Sequence, residues 1–142
     1  MSIFPTRILL ATDGSAEARL AATTAADLAN RTDSELHVVH VGVLQPVFLS
    51  QTEEEPAQLE RYARELLEEQ VIRIEEAGGT VEEAHLRRGR ADEEIVELAQ
   101  SIGAGMIVMG SRGRGRIRRA LMGSVSDSVV RHAHCPVTIV RE

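Results

Sequence analysis

Gly110-Ser-Arg-Gly113-Arg-Gly-Arg-Ile-Arg-Arg-Ala-Leu-Met-Gly123-Ser124 joins two segments of opposite character. Before it stands a short apolar run, Met106-Ile-Val-Met109, which reads as a buried strand. After it comes Val125-Ser-Asp-Ser-Val-Val-Arg-His, which has a helical pattern. The stretch is therefore a glycine-rich loop carried from a strand end to a helix start. Glycine lets backbone N–H groups approach a ligand closely, and the open N–H groups of a helix start attract anions. Arg112, Arg114, Arg116, Arg118 and Arg119 push the local potential the same way. The chain as a whole carries a formal charge of −6, so this basic loop stands out.

Working outward, strands and helices alternate. Arg7-Ile-Leu-Leu-Ala-Thr12 is apolar on both faces, as a central parallel strand should be. Asp13-Gly14-Ser15 breaks it, and Ser15 is a plausible N-cap for an alanine-rich helix from Ala16 to Asn30. Glu35 to Gly42 reads as a second strand. Residues 43 to 56 are irregular, with Pro46 and Pro56, and Thr52-Glu-Glu-Glu-Pro leads into a long helix from about Ala57 to Ala77. Gly78-Gly79 ends that helix. Thr80 to Leu86 is a more polar strand, expected toward a sheet edge. Arg87-Arg-Gly89-Arg-Ala-Asp-Glu-Glu opens a third helix, with acidic residues suited to its first turn. Gly103 ends it. A fourth helix is expected from Ser124 to His134, and Pro136 to Val140 forms a last strand. This order predicts an α/β protein: a parallel sheet with helices on both faces and right-handed crossovers.

The 142 residues suit one domain spanning 1–142, burying about two-thirds of the unfolded surface. With two Phe, one Tyr and no Trp, the core must be aliphatic, and an aromatic platform for single-stranded nucleic acid is missing. The acidic balance argues against nucleic-acid and membrane-surface partners. No apolar run approaches the length of a membrane span, which takes about 18 residues or more. The first residues lack the charged leader and cleavage site of a secretory signal. Cys135 is the single cysteine, so no intramolecular disulfide or thiolate cluster forms, in keeping with a cytoplasmic location. It is expected to be a small buried residue. His37 and His40 fall on opposite strand faces and do not pair as metal ligands. His132 and His134 flank Cys135 at a helix-to-strand junction without an evident fourth ligand. No metal site held by protein groups is expected.

All 16 basic residues are arginine. The missing lysine excludes a G-x-x-x-x-G-K-[ST] phosphate loop, lysine catalysis and a phospho-receiver domain. The dinucleotide fingerprint fails because Arg118 stands where the third glycine would be. A flavodoxin-type loop would need several hydroxyls after the first strand, where Asp13-Gly-Ser-Ala-Glu offers one hydroxyl and a repelling acid.

What does fit is a spacing: Gly110, two residues, Gly113, nine residues, Gly123, Ser124. Together with Asp13 it makes the chain closely resemble the universal stress protein family, in its ATP-binding branch. The resemblance runs nearly end to end: Ile-Leu-Leu-Ala-Thr-Asp-Gly-Ser at the start, Gly89-Arg-Ala-Asp-Glu-Glu-Ile in the middle, and Met-Gly-Ser-Arg-Gly with His-Cys-Pro-Val-Thr-Ile-Val at the end. It implies a Rossmann-like open five-stranded sheet in the order 3-2-1-4-5, with the ligand at the carboxyl ends of the strands where the connections diverge. Ala11, Thr12 and Asp13 match positions that hold the nucleoside, and Val41 matches one whose main chain recognises adenine. Gly110, Gly113, Gly123 and Ser124 would carry ribose and phosphates, Val125 would add an N–H, and Met109 and Arg112 complete the set. Ser124 is expected to double as an N-cap with Asp127 three residues on. The cofactors implied are ATP with Mg²⁺ or Mn²⁺, and the assembly implied is a homodimer through the edge strand Val137–Val140.

The resemblance implies a cytoplasmic stress or energy-state responder that binds ATP; no general base is evident near the phosphates, so slow hydrolysis at most is expected and no catalytic residue is assigned. The alternatives are a genuine ATPase or phosphotransferase using the arginines on phosphoryl charge, and an interaction protein whose arginine-rich loop docks an acidic partner. The arginines either meet phosphate or face solvent.

Overall fold

Ile8, Leu9 and Leu10 of β1 (Arg7–Ala11) are fully buried on both faces, and this strand is the centre of the molecule. The computed structural model describes residues 1–42, 56–111 and 123–142. The expected lead-in at 52–55 lies outside the described residues, as do Arg112, Gly113 and Arg114, Arg116, Arg118 and Arg119 of the loop.

From β1 the chain continues through α1 (Ala16–Thr32), β2 (Glu35–Gly42), α2 (Pro56–Glu76), β3 (Glu83–Arg88), α3 (Ala91–Ile102), β4 (Met106–Gly110), α4 (Ser124–His132) and β5 (Val137–Val140). The five strands form one sheet in the order β3-β2-β1-β4-β5. All neighbours run parallel. Parallel neighbours need crossovers, which carry the helices onto the faces and leave the central strands apolar throughout.

Alternate residues of the strands feed two separate cores. Ile8, Leu10, Leu36 and Val38 pack against Ala21, Ala25, Leu67 and Ile74 of α1 and α2. Leu9, Ala11, Val39, Ile107 and Met109 pack against Ile95, Leu98 and Val129 of α3 and α4. Each fully buried Leu, Ile or Val contributes about 1.5–3 kcal/mol. Alanine dominates the buried face of α1, which lets that helix sit close to the sheet.

The first helix runs two residues past the expected Asn30, to Thr32, and the last strand starts at Val137 rather than Pro136; two further boundaries also differ from expectation. The third strand spans Glu83–Arg88 rather than Thr80–Leu86, because its ladder with β2 extends to Gly42↔Arg88. An edge strand exposes one side, so arginines are tolerated in it. The chain leaves it at Gly89, whose φ of 128° is open to glycine. The fourth helix stops at His132, not His134, because Ala133 is already extended ahead of the last strand.

Candidate functional site

The carboxyl end of β1 is held by a relay of side-chain hydrogen bonds. The Thr12 hydroxyl accepts from the Gly14 N–H at 3.2 Å, and Asp13 Oδ1 accepts from the Ser15 N–H at 2.9 Å. Ser15 Oγ then accepts from the Ala18 N–H and caps α1, as the sequence predicts. From the neighbouring strand, His40 Nδ1 lies 2.8 Å from the Thr12 carbonyl. A carbonyl only accepts, so this nitrogen carries a proton and donates.

Across the switch point, β4 ends at Gly110 and Ser111. A Cβ on Gly110 would lie 3.0 Å from Glu17 Cβ and 3.1 Å from the Glu17 carbonyl carbon, so β4 passes α1 too closely for a side chain. Ser111 is a buried junction. Its N–H donates to the Val140 carbonyl at 3.0 Å and its hydroxyl donates to Glu17 Oε1 at 2.8 Å. Its carbonyl accepts from the Gly123 N–H at 2.7 Å and the Ser126 hydroxyl at 2.6 Å. Ser111 and Gly123, which flank residues 112–122, are thereby bonded to each other. The second oxygen of Glu17 accepts from the Glu142 N–H.

Ser124 is not the N-cap of α4. Gly123 takes that place with φ −73° and ψ 167°, and its carbonyl receives the first intrahelical bond, from Asp127. Ser124 is already helical, and the Asp127 carboxylate pairs with Arg131 at 2.9 Å instead of reaching back. Among the described residues no side chain caps the start of α4. The N–H groups and positive dipole of this helix start favour negative charge.

These elements enclose a cavity of about 580 Å³, well within the range of small-molecule sites. Ala11, Thr12, Asp13, Val41, Met109, Gly110, Gly123, Ser124 and Val125 all line it. Of the expected set only Arg112 and Gly113 have no position, since they lie outside the described residues. Ser15, His40, Leu66, Ala91, Ser111 and Ser126 also line it and are not in the expected set. Two of them carry a local signal: His40 directly precedes Val41 at a strand end, and Ser126 sits in the first turn of α4. The wall is mostly apolar side chains, with hydroxyls concentrated near the α1 and α4 starts.

A second polar group lies on the α3–α4 face, near the amino ends of the strands. His37 Nδ1 is 3.2 Å from His85 Nε2, and the rings stack at 5.5 Å with a 20° interplanar angle. His37 Nε2 is 3.1 Å from Glu35 Oε1, which also takes Arg7 Nε at 3.1 Å. The bonds from His37 and Arg7 hold the Glu35 carboxyl below its ordinary value. Burial pushes the His85 imidazole down, against the charge of nearby Glu83. His37 and His40 do face opposite sides, as expected, but the partner of His37 comes from the next strand, which a single-strand reading does not reveal.

The family model described as "Universal stress protein family" matches residues 5–141. A universal stress protein of Methanocaldococcus jannaschii is 33% identical over 96% of this chain and 82% of its own length. Among solved structures, a universal stress protein in complex with cAMP superposes with a TM-score of 0.76 at 25% identity, covering 98% of both chains. The universal stress protein from Archaeoglobus fulgidus in complex with dAMP gives a TM-score of 0.70 at 27% identity, covering 98% of this chain and 99% of that one.

Proposed function

The chain belongs to the universal stress protein family, and on that premise we propose that it is a cytoplasmic adenine-nucleotide-binding regulator which holds ATP in the switch-point cavity. The observation that carries this reading is the cavity itself: it gathers the ends of β1, β2 and β4 and the start of α4 around one space. Adenine would lie against Val41 and the apolar wall, with the nucleoside near Asp13. The phosphates would lie toward Gly110, Gly123, Ser124 and Val125, where a helix start favours negative charge. Arg112 and Gly113 belong to the same proposed set. Related structures with bound cAMP and dAMP support an adenine nucleotide as the ligand class.

Asp13 is the one carboxylate among the described lining residues. That suits Mg²⁺ or Mn²⁺ arriving with the nucleotide, since such ions rely on phosphate oxygens, waters and one or two carboxylates. Stress response follows from the family and not from any single residue. Dimerisation through Val137–Val140 is part of the same proposal, because β5 is a sheet edge. Among the described residues no helix is long and apolar enough to cross a membrane.

The test is direct. Protein purified under native conditions is denatured and the released small molecules are identified, and the nucleotide-free form is titrated with ATP by calorimetry. Bound adenine nucleotide, or a Kd in the micromolar range with a thermal shift, is the expected result. Absence of both overturns the proposal. Light scattering that finds only monomer at high concentration overturns the dimer.

A further inference from the structure

We propose that His37, His85 and Glu83 form a binding site for a divalent transition-metal ion, Zn²⁺ by preference, that is separate from the nucleotide cavity and ties the edge strand β3 to β2.

The register of β2 and β3 makes the cluster. His37 is paired with Glu83 and Val39 with His85, so all three side chains leave the same face of neighbouring strands. One ligand atom from each lies within 4.8 Å of the others. The two imidazole nitrogens are 3.2 Å apart. Two nitrogens on a tetrahedral Zn²⁺, at about 2.0–2.1 Å each, are separated by about 3.3–3.4 Å. In the hydrogen-bonded pair the two nitrogens face one another, so both rings must turn on binding to aim their lone pairs at one ion.

The surroundings favour that use. Glu35 can only accept, so the His37 proton sits on Nε2 and the Nδ1 lone pair points toward His85. A carboxylate that holds the far nitrogen of a histidine is the usual support for a metal ligand, fixing its tautomer and orientation. Without metal, His85 Nε2 donates to His37 Nδ1. On binding, that proton moves through solvent to His85 Nδ1, and no net charge is lost from either ring. Imidazole and carboxylate donors suit Zn²⁺ and its neighbours in the transition series, whereas an oxygen-only site would suit Ca²⁺ or Mg²⁺. Entry is open, because the Glu83 side chain is 62% exposed while that of His37 is 6% exposed. The nearby guanidinium of Arg87 is engaged by Glu94 and Glu97, at 3.5 and 3.3 Å, which limits its repulsion of a cation.

The cluster is distinct from the metal that would accompany a nucleotide. His37 lies four residues before Val41, about 13 Å along the strand. The cavity reaches back to Val39, the register partner of His85, but none of His37, Glu83 and His85 lines it.

Untagged, nucleotide-free full-length chain should be titrated with Zn²⁺ by calorimetry and with Co²⁺ by visible absorption. The expected result is one ion per chain with a micromolar Kd, a d–d band for Co²⁺, and a raised Tm. His85→Gln and Glu83→Gln should each weaken Zn²⁺ at least tenfold, and Glu83→Gln, whose side chain is exposed, should keep the metal-free Tm and circular dichroism of the parent. Zn²⁺ binding weaker than about 100 μM, or tight binding unchanged in both variants, overturns the site. Loss of binding in His134→Gln but in neither of those variants also overturns it. None of these measurements depends on whether ATP binds.

Discussion

The Ser126 hydroxyl donates to the Ser111 carbonyl across 2.6 Å, joining the first turn of α4 to the end of β4. Ser126 also stands 3.1 Å from the Gly123 carbonyl. This one side chain thus reaches the carbonyls of both described residues that flank 112–122. Ser126→Ala leaves a buried carbonyl with one donor fewer and costs about 1 kcal/mol. Urea denaturation should show that loss. ATP affinity should fall by roughly fivefold or more, because the phosphate side of the cavity depends on this junction. An unchanged Kd in a stably folded variant would separate the junction from binding.

His40 supports the opposite wall. Its Nδ1–H holds the Thr12 carbonyl, next to Asp13. His40→Ala should weaken ATP several-fold, whereas His40→Asn, whose amide can place a donor near the old Nδ1 position, should retain most of the affinity. Equal losses in the two variants would mean that the ring contributes contact area and not the hydrogen bond.

Asp92 links α3 to α4. Its Oδ2 accepts from the Ser128 hydroxyl at 2.8 Å and from Arg90 at 3.1 Å. Burial works against the charged form, yet the Ser128 hydroxyl, Arg90 and the Glu93 backbone hold this carboxyl below its ordinary value. A depressed carboxylate stabilises the fold above its unfolded pKa, about 3.9, and that contribution fades as pH falls through the folded value. Asp92→Asn should therefore cost about 1 kcal/mol near neutrality. The gap to the parent protein should narrow toward pH 3 in urea titrations. A gap that stays constant from pH 7 to 3 would exclude a role for the charge.

Burial pushes the Cys135 thiol up from its ordinary value, against a weaker opposing bond with the Ile107 backbone. The thiolate is the reactive form. Iodoacetamide should label the folded chain far more slowly than a free thiol at pH 7.5, and the difference should vanish in denaturant. Mass spectrometry gives both rates.

The fold was legible where one residue type decides the matter. The unbroken apolar run Ile8-Leu-Leu could only be a strand covered on both sides, and Ser15 could serve as a cap because a helix-forming run follows it at once. The approximate place of β3 was legible, but its register was not: which residues enter an edge ladder is decided by β2 and not by their own polarity. Ser124 misled for a related reason. Serine at a helix start reads as a cap, but Gly123 supplies the extended backbone here and the useful hydroxyl comes two residues later. The His37–His85 pair was invisible because its members are 48 residues apart in the chain and meet only through strand pairing.

Gly110 borders the cavity, but what excludes a side chain there is α1, whose backbone at Glu17 passes behind the strand. A side chain at this position would press on the backbone of α1, so the scaffold favours glycine here before any ligand arrives. Gly110 is therefore not by itself a mark of nucleotide binding, and the chemistry must be read from the residues that follow it.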